Sequence, residues 1–87
     1  MLKYFEVCMY FVYILLSLKD KKFYIGITGN LQRRIKEHNQ KKVKSTKGRQ
    51  PLKLICYEVY SSKKIAEKRE RFLKSSDGKK DIRKRFK

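Results

Sequence analysis

Acidic residues are scarce in this chain: eight Asp and Glu stand against twenty-five Lys and Arg, leaving a formal net charge of +17 over 87 residues. Such an excess repels itself in the folded state, and a polyanion that normally relieves the repulsion is the simplest explanation. Nucleic acid is therefore the default partner, ahead of an anionic membrane surface. Cysteine is equally sparse. Cys8 and Cys56 are too few for a disulfide framework, and no paired Cys or His spacing of a zinc site occurs; both are expected to be reduced core thiols of a cytoplasmic protein. Long apolar runs are missing as well. The run from Val7 to Leu16 is too short to span a bilayer and lacks a small-residue cleavage site, so it reads as a strand rather than a targeting segment. No repeat or linker marks a second domain, and a single domain over 1–87, with its core at about 9–86, is expected. A chain of this length buries only about 60–65% of the surface its unfolded form exposes, so the core is modest. The 40% hydrophobic and 13% aromatic content is nevertheless enough for folding.

The polar and apolar patterns then divide the chain. Met9 to Ser17 is almost continuously apolar, as expected of a central strand buried on both faces. Leu18-Lys19-Asp20-Lys21 is a polar break, and Lys22 to Ile27 resumes an extended pattern, which together predict a β-hairpin. Asn30 is the predicted N-cap of a helix from Leu31 to about Asn39. On that helix Leu31 and Ile35 share one stripe, and Arg34 and His38 the adjacent one. A basic loop follows, without an acidic residue from Asn39 to Leu54, and Pro51 closes it. Leu52 to Tyr60 is predicted as a third strand, with Ile55 and Tyr57 alternating against Leu54 and Cys56. Ser61 or Ser62 is predicted to cap a second helix reaching about Lys74, with Ile65, Ala66, Arg69, Phe72 and Leu73 at helical spacing. Ser75-Ser76-Asp77-Gly78 reads as a break, followed by a basic tail to Lys87 that either adds a C-terminal helical turn packed through Ile82 and Phe86 or stays mobile.

Hydrolysis of a phosphodiester needs an activated water, an in-line attack and stabilisation of charge on the phosphorane-like oxygens. A hairpin with tyrosines on both strands can present two phenols side by side, because cross-strand neighbours lie about 5 Å apart. A nearby guanidinium and a divalent cation would both favour the phenolate of Tyr13 or Tyr24, which could then take a proton from water. Arg34 offers a planar fork for phosphate oxygens, His38 one turn later could shuttle a proton, and Glu70 could hold one Mg²⁺ or Mn²⁺ as a hard oxygen ligand. Taken singly, each has an ordinary role: a tyrosine in a strand is usually a core residue, and a charge on a helix is usually solvated. The order of Tyr, Tyr, Arg, His and Glu carries the inference.

That order resembles the GIY-YIG nuclease superfamily, and in particular its small single-domain branch of endonucleases. The resemblance runs from about Met9 to Phe86. Its motifs stand here as Phe11-Val12-Tyr13-Ile14, Phe23-Tyr24-Ile25-Gly26, Asn30-Leu31-Gln32-Arg33-Arg34 and Glu37-His38-Asn39. They continue in Ser45-Thr46-Lys47-Gly48-Arg49-Gln50-Pro51 and in Ala66-Glu67-Lys68-Arg69-Glu70-Arg71-Phe72-Leu73-Lys74. Phe11 stands where the first motif has glycine, and Val12 replaces isoleucine. The resemblance implies an α+β fold, a small three-stranded sheet flanked by helices in the order β-β-α-β-α. It implies that Tyr13 activates the attacking water, that Tyr24 hydrogen-bonds at the same centre, and that Arg34, His38 and the metal-binding Glu70 complete the site. It also implies a setting in DNA repair or recombination.

The leading expectation is thus a Mg²⁺-dependent DNA endonuclease. The alternative is a non-catalytic nucleic-acid-binding module in which Lys41, Lys42, Lys44, Lys47 and Arg49 cradle phosphates. The carboxylate favours the enzyme, since Glu70 in a basic site repels phosphate unless a cation intervenes. A peripheral membrane protein ranks last, for want of an amphipathic helix with a large apolar face. With no appended module, target choice would come from DNA structure or from a partner protein.

Overall fold

The structure is a computed structural model that describes residues 8–86; Val7 of the apolar run and Lys87 of the tail lie outside the described residues. Its strands are β1 (Tyr10–Ser17), β2 (Phe23–Thr28) and β3 (Leu52–Tyr60), and its helices α1 (Leu31–Asn39), α2 (Lys63–Lys74) and α3 (Ser76–Arg85). The sheet order is β2-β1-β3 with both pairings antiparallel. β1 is central, which is why its residues are apolar on both faces. Val12 and Ile14 point to one side and join Ala66 and Leu73 of α2 and Ile82 of α3. Tyr13 and Leu15 point to the other and join Leu52, with Leu31 and Ile35 of α1 packed against them. Each fully buried aliphatic side chain in these two clusters contributes roughly 1.5–3 kcal/mol of transfer free energy.

Local chemistry sets the element ends. The Ser17 hydroxyl accepts from the backbone of Lys19 at 3.2 Å and Asp20 at 3.1 Å, and Asp20 Oδ1 accepts from Lys22 N at 2.9 Å, closing the β1–β2 turn. Asn30 caps α1 by accepting from Arg33 N at 3.1 Å. At the other end of α1, Asn39 donates to Leu52 O and accepts from Leu52 N, at 3.1 and 2.9 Å, so one amide fastens α1 to the first residue of β3.

Three expectations require correction. The strict alternation expected along β3 fails, because a register shift opposite Ile14/Leu15 places both Ile55 and Cys56 against the α2/α3 core. Only one cysteine reaches the core: both are free, but Cys8 precedes β1 and is exposed, whereas Cys56, half-buried on edge strand β3, packs against the α2/α3 core. The break at Ser75-Ser76-Asp77-Gly78 ends α2 without ending helical structure, since α3 is a ten-residue helix. Ser75 serves both helices. Its hydroxyl donates to Phe72 O at 2.5 Å and accepts from Gly78 N at 3.2 Å. Gly78 sits so close to Phe72 O and the Leu73 Cα that a Cβ would collide with backbone. No helix among the described residues is long and apolar enough to cross a membrane.

Candidate active site

The site is built around Tyr13, whose direct cross-strand partner on β2 is Gly26. A Cβ at position 26 would collide with the Tyr13 hydroxyl and the ring carbon that bears it. The missing side chain is the space in which the phenol lies. One turn after Arg34 on α1, His38 is buried, 3% exposed, and its Nε2 lies 2.9 Å from Tyr13 Oη, with the rings edge to face. On its far side His38 Nδ1 lies 2.7 Å from the hydroxyl of Thr46, which is wholly buried.

A cleft of about 700 Å³ opens beside these groups, and Tyr13, Tyr24, Arg34, His38 and Glu70 all line it. Tyr13 and α1 lie on one face of the sheet and α2 on the other, so Glu70 reaches the same cleft only around an edge. Phe23 to Ile27, five consecutive residues of edge strand β2, form part of the wall. Consecutive strand residues point to opposite faces, which places the cleft across the sheet edge, where Glu70 from α2 meets Tyr13. Glu70 is the one carboxylate among its lining residues, and Lys74, one turn on, pairs with it at 3.2 Å.

The electrostatics refine the expected chemistry. Burial pushes the Tyr13 phenol above its usual value and outweighs the Arg34 guanidinium beside it, which pulls it down. Tyr13 is therefore protonated at neutral pH in the free protein, where the expected pull of the guanidinium toward phenolate is present but outweighed by burial. Burial and the same Arg34 charge hold His38 below its usual value, so the imidazole is neutral. Arg34 itself pairs with Glu37 at 3.2 Å. Tyr24 is placed differently: its hydroxyl donates to Asp20 Oδ2 at 2.7 Å, and burial together with that carboxylate raises its pKa. Asp20 also pairs with Arg49 at 3.3 Å.

Known proteins are similar to the chain in the sequence and fold in which this arrangement sits. The model of the GIY-YIG catalytic domain matches residues 9–86. The chain belongs to the GIY-YIG family. Within that family of nuclease domains it is similar to a UPF0213 protein of Clostridium perfringens, 45% identical over 67 residues that cover 76% of this chain and 71% of that protein. It is also similar to the UPF0213 protein YazA of Bacillus subtilis, 39% identical over 76 residues, covering 86% of this chain and 76% of that one. The solution NMR structure of a UPF0213 protein from Bacillus halodurans superposes with a TM-score of 0.55 at 34% identity, covering 90% of this chain and 85% of that chain. The α+β architecture of this GIY-YIG domain, a three-stranded antiparallel sheet with helices on both faces, is shared with that neighbour.

The five family positions thus lie together in the fold, although Tyr24 is turned to Asp20. The basic-loop residues are exposed, but none of Lys41, Lys42, Lys44, Lys47 and Arg49 lines the cleft. The cations that do, besides Arg34, are Lys22, Lys74 and Lys79, from the β1–β2 turn, α2 and α3. These, Asp20 and Thr46 escaped the sequence reading. Lysines abound in this chain, so no single one stands out; the Thr46 hydroxyl lay in the quoted stretch 45–51 with nothing to mark it.

Proposed function

We propose that this GIY-YIG domain is a metal-dependent endonuclease that hydrolyses phosphodiester bonds of DNA. The observation that supports it most is the Tyr13 hydroxyl, 2.9 Å from a buried neutral His38, in one cleft with Arg34 and Glu70. Arg34 would hold a non-bridging phosphate oxygen through its guanidinium fork. Tyr13, once ionised, takes a proton from a water whose oxygen attacks phosphorus, and the bond to the leaving sugar oxygen breaks, that oxygen taking a proton from solvent. The imidazole touches Tyr13 Oη and acts on it rather than on the phosphate.

Glu70 is the residue that would hold Mg²⁺ or Mn²⁺. No group of three or more His, Cys, Asp or Glu fit to hold a metal exists among the described residues. A single carboxylate nevertheless suits these hard ions, which keep several waters and take further ligands from substrate phosphates. Bound there, such an ion supplies neutralisation of charge on the phosphate oxygens.

The test is cleavage of a panel of labelled DNA structures, duplex, branched and single-stranded, with and without Mg²⁺ or Mn²⁺. Tyr13→Phe should lower the rate by about 10²–10⁴-fold at unchanged affinity, the usual cost of a lost general base. Glu70→Ala should abolish cleavage and leave binding intact or tighter, since it also removes a negative charge. A parent protein that cuts nothing with any divalent metal, or two variants that cut at the parental rate, would make this a basic nucleic-acid-binding domain on a nuclease scaffold.

A further inference from the structure

Thr46 has no assigned role, yet its hydroxyl is wholly buried and, among the described residues, has a single hydrogen-bond partner, Nδ1 of His38 at 2.7 Å. The other ring nitrogen, Nε2, faces Tyr13 Oη at 2.9 Å. A neutral imidazole carries one N–H, so the proton sits on one side or the other. If it sat on Nδ1, it would donate to Thr46 Oγ1. The hydroxyl hydrogen of Thr46 would then have no acceptor in a place sealed from water, an arrangement native proteins avoid. With the proton on Nε2 both buried donors are met: Thr46 O–H donates to Nδ1 and Nε2–H donates to Tyr13 Oη, and the phenolic hydrogen is left to the side of Tyr13 that lines the cleft rather than to the sealed side that holds Thr46.

Thr46 and His38 are held together by more than this contact. Gln50 donates from one amide nitrogen to His38 O at 2.8 Å and to Thr46 O at 3.1 Å. Thr46 N donates to Val43 O at 3.2 Å, and Arg49 N donates to Thr46 O at 2.9 Å. The hydroxyl is thus delivered to the ring by a braced turn.

We propose that Thr46 is a positioning residue that fixes His38 as its Nε2–H tautomer, so that His38 donates a hydrogen bond to Tyr13 instead of accepting its proton. The proposal rests on the reading of Tyr13 as the reacting group and revises the proton-shuttle role expected of His38. Tyr13 loses its own proton to water in the cleft. The phenolate is then held by Nε2–H on one side, with the Arg34 guanidinium beside it, and takes one proton from the attacking water. The imidazole keeps its proton throughout.

His38 is the chain's one histidine, so its ring nitrogens can be read without ambiguity by two-bond ¹H–¹⁵N correlation at neutral pH on ¹⁵N-labelled full-length protein. The expected spectrum shows Nδ1 bare and Nε2 protonated. Thr46→Val keeps the volume and removes the hydroxyl; it should drive the ring to a mixture of tautomers and lower the cleavage rate by about tenfold, the worth of one hydrogen bond. Thr46→Ser should restore both readouts, whereas a merely structural role would leave the tautomer of a folded Thr46→Val protein unchanged. A parental spectrum with Nδ1 protonated, or a Thr46→Val spectrum identical to the parent, overturns the proposal even if the protein cuts DNA. A bare Nδ1 that responds to Thr46→Val in a protein that cuts nothing upholds the tautomer assignment and sinks the nuclease reading instead.

Discussion

Tyr13 and Gly26 act as one unit although they lie on different strands. The phenol needs the volume that a side chain at position 26 would fill, and a Cβ there would meet the phenolic oxygen itself. Gly26→Ala should leave the sheet intact, since β2 is an edge strand and alanine costs a strand little. It should nevertheless lower cleavage by about 10²-fold, because a misplacement of the order of an ångström at the reacting group has that effect. Rates measured beside melting curves check this, and a Gly26→Ala protein that cuts like the parent would show that Tyr13 is not confined by its neighbour. At this scale the family motifs were legible in the sequence. Their partners were not: that Asp20 engages Tyr24, or that Thr46 touches His38, depends on loop paths no spacing rule specifies.

The elements that carry these residues are held in register by a second polar cluster, away from the cleft. Arg69 of α2 donates from Nε and Nη2 to the two carboxylate oxygens of Glu58 on β3, at 2.8 and 3.0 Å, and the Tyr60 hydroxyl adds a 2.7 Å bond. Arg69 precedes Glu70, so this clamp orients the helix that delivers the cleft's carboxylate. Arg69 is the main cause that holds the Glu58 carboxyl below its usual value. Its contribution to stability is therefore complete above the unfolded carboxyl pKa of 4.5 and is lost as pH falls through the lower, folded value. Glu58→Gln should cost about 1–2 kcal/mol at neutral pH, a melting temperature lower by several degrees for a domain this small. The gap between the two proteins should narrow below pH 4.5; a gap that stays constant on acidification would show that the carboxylate charge contributes nothing. The element order and the Asn30 and Ser62 caps were legible beforehand, because apolar runs and capping residues act locally. A C-terminal helix packed through Ile82 was legible too, but only as a turn: Ser75 and Gly78 are stop signals in isolation, and packing of Ile82 into one core with Leu73 makes them a tight junction from which α3 runs for ten residues.

Over the whole molecule, the cations behind the +17 charge include two sets with different positions. Lys42, Lys44 and Lys47 belong to the exposed basic loop, whereas Lys22 and Lys79 face the cleft beside Arg34. A phosphate neutralised by either set releases counterions, contributing about −0.9 to the slope of log affinity against log salt on duplex DNA. Replacing the three loop lysines by alanine should thus flatten the slope by up to about 2.7, while bound DNA is still cut at the parental rate, because these side chains lie outside the cleft and would hold only the flanks of a substrate. Lys22→Ala with Lys79→Ala should remove less of the slope and more of the rate, since charge beside the reacting phosphate is felt in the transition state as well as on binding. Binding titrations between about 50 and 200 mM salt, paired with single-turnover cleavage at saturating protein, separate the two sets. An affinity indifferent to salt across that range would show that the basic surface does not bind phosphates. Equal effects of both replacements on rate would show that cleft and loop grip the same stretch of backbone, which their separate placement in the fold argues against.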